Sequence, residues 1–251
     1  MFYLTLGAAL LLALVHVTTS GLRFLHGSPR SVWLSLAGGV SVAYVFVHFL
    51  PELAAGQQEL AEESTLVGYA GRHVYLVSLV GLLAFYGLDR LAITSRSGRG
   101  EGGAPAGRGR GEENERAGMG VFWVHMGSFA LYNLLIGYLL THREEEGTAP
   151  LALFTAAMAL HFLVADYGLA EDHQGSYRRV GRWILVVALL AGWGLGSATD
   201  MPEAAIAALT AFVGGGIVLT VLKEEVPSER QSRFWAFALG AGAYSALLLA
   251  V

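Results

Sequence analysis

Cysteine is absent from the 251 residues, charged side chains make up only 14% of them, and proline occurs six times. The first absence removes disulfides and thiolate metal ligands and leaves the redox compartment open. The second excludes a soluble domain of ordinary make-up, which carries roughly 25% charged residues. A basic region ahead of the first apolar run is missing too: the first charge is Arg23, behind the run. The N-terminal stretch therefore reads as a spanning helix rather than as a secretory signal.

What is present is apolar sequence, 54% hydrophobic with a mean hydropathy of +0.52. Eight runs stand out, at 2–20, 31–55, 74–94, 119–141, 149–169, 180–197, 203–222 and 233–250. Each approaches the ~20 residues that cross a hydrocarbon core as helix. None alternates as a strand does, and the bilayer leaves helix as the form that satisfies every backbone group. The reading is an all-α polytopic membrane protein with eight transmembrane helices, here spans 1–8, forming a single domain over 1–251.

Fourteen of the sixteen Lys and Arg fall around the connections after spans 1, 3, 5 and 7, leaving only Arg72 and Arg143 on the other side. By the positive-inside rule both termini face outward and the connection after span 3 is cytoplasmic. That connection, 95–118, is rich in Gly and Arg with nothing apolar to bury, so disorder is expected there. Its "GRGRG" is interleaved with Glu and serves topology, so no nucleic-acid partner is expected. Membrane lipid is the expected surrounding, and a second copy of the chain is a candidate partner.

Two spans repeat one pattern. Span 2 reads "GGVSVAYVFVHFLPE" from Gly38 and span 7 reads "GGGIVLTVLKEEVPS" from Gly214. Both open on a Gly pair, with an ionisable residue ten positions on (His48, Glu224) and Pro thirteen positions on (Pro51, Pro227). Because the charge pattern runs the two spans in opposite directions, spans 1–3 and 6–8 are expected to form an inverted repeat around spans 4 and 5.

Ionisable groups inside a bilayer cost on the order of 2.5–3.5 kcal/mol, so each is a site candidate. Span 4 carries His125, Tyr132 and Asn133; span 5 carries His161 and Asp166, then Glu171, Asp172 and His173 at its end. His125 and Tyr132 share a helix face, and opposite chain directions put Asn133 and His161 at similar depth. Imidazole, carboxylate and amide oxygen together suit a divalent first-row metal such as zinc. His48 and Glu52, one turn apart, sit at the outer end of span 2. His16 and His73 have no partner in the sequence and receive no role. Gly192, Gly194, Gly196, Gly240 and Gly242 are expected at close helix packing.

These residues resemble the ZIP family of divalent-metal transporters. "HFLPE" is similar to the His-Leu-Leu-Pro-Glu motif of the family's helix 2, and "KEEVP" to the carboxylate-then-Pro ending of its helix 7. Of the helix 4 pattern His-Asn-x-Pro-Glu-Gly, Asn133 and Gly137 match, while Tyr132 and Ile136 stand for the His and Glu. Of the helix 5 pattern His-Glu-x-Pro-His-Glu-x-Gly, His161, Asp166 and Gly168 match, while Phe162 and Ala165 replace ligands. The resemblance implies one metal station from Asn133, His161 and Asp166, with His125 or Tyr132 completing it. It implies an outer entrance at His48 and Glu52 and an inner exit at Glu171, Asp172, His173, Glu224 and Glu225. It implies a carrier rather than an enzyme, with zinc or another divalent metal as cargo and no prosthetic group. The apolar replacements favour a second expectation, a ZIP-like fold that acts as scaffold or sensor or carries another solute. A membrane-embedded zinc hydrolase ranks last, because no span carries a His pair at i, i+4 with a companion Glu.

Overall fold

The computed structural model describes residues 1–22, 25, 31–59, 73–97, 109–142, 147–225 and 233–250. Among them there is no strand. The helices are α1 (Phe2–Thr18), α2 (Val32–Tyr44), α3 (Leu50–Glu59), α4 (Val74–Ser97), α5 (Gly109–Leu139), α6 (Thr148–Ser176), α7 (Arg182–Ala198), α8 (Glu203–Thr220) and α9 (Phe234–Leu249). Among the described residues, five helical segments are long and apolar enough to cross a membrane: Phe2–Gly21, Val32–Ala55, Thr148–Glu171, Tyr177–Ala198 and Glu203–Lys223. Val74–Leu88 and Phe234–Leu249 are shorter apolar helices. Apolar side chains such as Phe46, Leu79, Trp183, Val187 and Leu239 are exposed, as a lipid-facing surface requires.

Helix reaches further than the apolar pattern does. α4 continues to Ser97 and α5 starts at Gly109, so helix occupies both ends of the 95–118 segment and only 98–108 of it lies outside the described residues. The run "EENERA" at 112–117 explains the early start: Glu, Arg and Ala are strong helix formers, and acidic residues in a first turn favour the helix dipole. Ser31 caps α2, its Oγ accepting the Leu34 N–H at 3.1 Å.

Spans 5 and 6 are joined without a loop. A π-helical turn, Tyr177–Gly181, connects α6 directly to α7. Two pairs set the direction of α6 against α5: Tyr132 meets His161, and Phe122 meets His173. Higher numbers on one helix meet lower numbers on the other, so the two are antiparallel. Along α7 the order is the same as along α5, because Gly181 lies at Met126, Gly192 at Leu134 and Gly196 at Tyr138. The chain therefore turns back between His173 and Gly181.

Two further π turns interrupt the helices, at Val45–Phe49 and Val221–Glu225. In the first, the Leu50 N–H bonds to the Val45 carbonyl five residues back. Pro51 follows it and has no N–H to return to Val47, so the widened turn absorbs the missing bond. The two turns start seven positions after Gly38 and seven after Gly214.

Among the described residues, three helix pairs cross backbone to backbone on glycine. A Cβ on Gly39 would strike the Phe237 carbonyl and Ala241 N, and one on Gly240 the Leu36 carbonyl. A Cβ on Gly215 would strike the Ser78 carbonyl and Leu82 N, and one on Gly81 the Phe212 carbonyl. Gly137 and Gly192 pair likewise, against Leu189 and Leu134. Small residues allow this approach, which supplies packing where no hydrophobic force operates between helices in lipid. Gly194 and Gly242, also expected at close packing, have open space around them.

Candidate functional site

The buried face of α1 is Thr5, Ala8, Ala9, Leu12, Ala13 and His16. Small residues bring this face against its neighbours, and His16 at its end is 1% exposed. Its Nδ1 lies 2.8 Å from Asp166 Oδ2 and 3.0 Å from Oδ1. Its Nε2 lies 2.8 Å from Asn133 Oδ1. Asp166 and Asn133 are equally buried, and Phe162 packs on the imidazole face at 4.6 Å between centroids.

Hydrogen-bond chemistry fixes most of the proton positions. The Asn133 Nδ2 donates to the Phe129 carbonyl at 2.8 Å, which turns Oδ1 toward His16. An amide oxygen only accepts, so His16 Nε2 carries a proton and donates it. A neutral imidazole has then used its single N–H, yet Nδ1 also faces carboxylate oxygens. One more proton is therefore held between His16 Nδ1 and Asp166. Next to this pair, the buried Tyr177 faces Asp166, and its hydroxyl has no well-formed hydrogen bond. Arg182 donates from Nη1 to the Val17 carbonyl at 3.3 Å and so anchors α7 to the end of α1.

His161 is fully buried and hydrogen-bonds through Nε2 to the Tyr132 hydroxyl at 2.9 Å. The four expected metal residues are thus distributed. Asn133 and Asp166 meet on the two nitrogens of one histidine, His161 sits on Tyr132, and the side chain of His125 lies outside the described residues. No group of three or more His, Asp or Glu arranged to hold a metal ion occurs among the described residues. His16, Tyr177 and Arg182 are the members that sequence reasoning missed.

The outer and inner candidates occupy opposite ends of the antiparallel α5–α6 pair. A small cleft opens where α5 ends, lined by His48, Glu52, His142, Tyr44, Phe154, Ile136 and Thr210 among others. His48 Nε2 is 3.8 Å from Glu52 Oε2, and His142 stacks flat on Tyr138 at 4.5 Å. His142 belongs to this cleft although its sequence position gave no sign of it. At the other end, Glu171 accepts from the Tyr167 hydroxyl at 2.8 Å, and His173 packs edge-on to Phe122. The side chains of Asp172, Glu224 and Glu225 lie outside the described residues. No protein-family model matches the chain, and no curated protein matches it.

Proposed function

We propose that this chain is a secondary carrier of ZIP-like architecture that moves a divalent metal cation, zinc foremost, across a membrane. The observation that carries the proposal is mirrored packing around α5 and α6. The contact of Gly39 with Phe237 and Ala241 has its counterpart in that of Gly215 with Ser78 and Leu82. The contact of Gly240 with Leu36 has its counterpart in that of Gly81 with Phe212. One constant offset converts Leu36 and Gly39 into Phe212 and Gly215, and it also converts the first π turn into the third. A second constant offset converts Ser78, Gly81 and Leu82 into Phe237, Gly240 and Ala241. Equal spacing of this kind is what an inverted repeat of spans 1–3 and 6–8 produces, and carriers of that build place their site at the repeat interface.

In this reading eight spans cross the membrane with both termini outside. A cation enters past His48 and Glu52, with His142 beside them. It is held between α5 and α6 by Asn133, His161 and Asp166, and leaves past Glu171, Asp172, His173, Glu224 and Glu225. Uptake of zinc, manganese or iron into proteoliposomes tests it directly. Uptake that falls sharply in His161→Ala supports the carrier; no uptake at micromolar metal ends it.

A second reading, the same architecture without metal transport, draws on the hydrogen bonds already made by Asn133, His161 and Asp166. A scaffold, a sensor or a carrier of another solute would keep them permanently. Purified protein would then carry no stoichiometric metal, and chelator would leave its stability unchanged.

A further inference from the structure

We propose that the π turn Tyr177–Gly181 carries a binding site for one anionic phospholipid, its phosphate held by Arg178 and Arg179 and an acyl chain laid along Val180, Trp183 and Val187. Three arginines fall within five residues here, and Arg178 and Arg179 are exposed. Among the described residues no carboxylate lies within ion-pair distance of Arg178, Arg179 or Arg182. Glu171, which precedes the turn on α6, is taken up by the Tyr167 hydroxyl. The guanidinium of Arg182 is engaged within the fold, its Nη1 donating to the Val17 carbonyl and its centre lying 5.4 Å over the Trp183 ring. It adds charge to the patch and leaves the other two to meet a ligand. Guanidinium forks match phosphate oxygens in pairs, and basic clusters at a membrane surface attract anionic headgroups.

Depth points to the same occupant. Trp33, Trp183 and Trp235 are each the second residue of their helix, α2, α7 and α9, and all three are exposed. Exposed Trp123 stands likewise near the start of the apolar part of α5. Because tryptophan is enriched at the headgroup level of a bilayer, Trp183 marks that level and the arginines just before it lie at phosphate depth. From there Val180, Trp183 and Val187, three and four residues apart and all exposed, form one stripe running from the π turn along α7. A phospholipid uses both the charged turn and the apolar stripe, whereas a soluble anion leaves the stripe bare. The site makes no use of the residues assigned to the cargo, and its test involves no metal.

Tryptophan quenching in reconstituted vesicles tests the proposal. The full chain is placed in phosphatidylcholine vesicles in which a fixed share of the lipid is brominated phosphatidylglycerol or, as control, brominated phosphatidylcholine. The anionic lipid should quench more at equal share, and the excess should vanish in Trp183→Phe, which removes the reporter beside the site. Replacing Arg178→Gln and Arg179→Gln together should remove the excess as well, with the relative affinity for phosphatidylglycerol falling about fivefold for each arginine. Equal quenching by the two lipids overturns the proposal, as does an excess that survives in either variant. If the double variant does not fold, Arg178→Gln and Arg179→Gln taken singly are read by the same rule. Soluble glycerol phosphate at millimolar concentration on both sides of the membrane should leave the excess unchanged. Its loss would show that a free phosphate suffices, and would overturn the lipid as occupant.

Discussion

His16 Nδ1 and Asp166 Oδ2 lie 2.8 Å apart although 150 positions separate them in the chain, and both side chains are 1% exposed. The contact joins α1 to α6. Removing one member leaves the other buried without its partner, a change worth about 3–5 kcal/mol in comparable buried pairs. We expect His16→Leu and Asp166→Leu each to lower stability strongly and the double variant to lose far less than their sum. Thermal melts in detergent across this double-mutant cycle check it, and additive losses would refute the coupling.

The glycine crossings predict a pattern rather than one value. Gly39→Ala, Gly81→Ala, Gly215→Ala and Gly240→Ala each push a methyl group into the backbone of the partner helix, and each should cost about 1–3 kcal/mol. Gly194→Ala and Gly242→Ala meet open space and should be neutral or slightly stabilising, since Ala is the better helix former. Ranking the six melting temperatures is the measurement, and overlap of the two groups would contradict the packing described.

In the cleft where α5 ends, Glu52 supplies a carboxylate next to His48, both partly accessible. Glu52→Gln keeps the shape and removes the charge. For a cation carrier KM should rise about tenfold, the equivalent of ~1.4 kcal/mol, with kcat nearly unchanged. Concentration series of metal uptake read the two constants apart.

Freedom from cysteine makes the topology easy to probe, because every introduced thiol reports without background. In spheroplasts or sealed cells, Asp200→Cys should react with a membrane-impermeant maleimide from outside, and Ala104→Cys should react only after permeabilisation. The reverse labelling would invert the orientation that Arg and Lys imply.

The helices were legible because apolar runs near membrane thickness admit few other forms, and the paired Gly–Pro pattern lies on the two spans that carry the π turns Val45–Phe49 and Val221–Glu225. The start of α5 was missed because propensity in "EENERA" competes with a composition that reads as disordered. His16 was missed for a different reason. Its partners come 117 and 150 residues later, so no local motif contains them. The usable signal was the spacing of Thr5, Ala9, Leu12 and Ala13, which marks a close-packed face; a histidine continuing that face is buried and must find partners. Asn133 and Asp166 were recognisable as intramembrane polar residues, but only the fold shows that a third chain segment stands between them.

The order in which the chain is made gives the His16 contact a meaning in biogenesis. α1 leaves the ribosome before α6, and Asp166 follows His16 by 150 residues, roughly 8–30 s at synthesis rates of about 5–20 residues per second. Through that interval an apolar helix carries an unsatisfied imidazole, which lipid accommodates poorly. His16 can therefore reach its carboxylate partner only after α6 has been made.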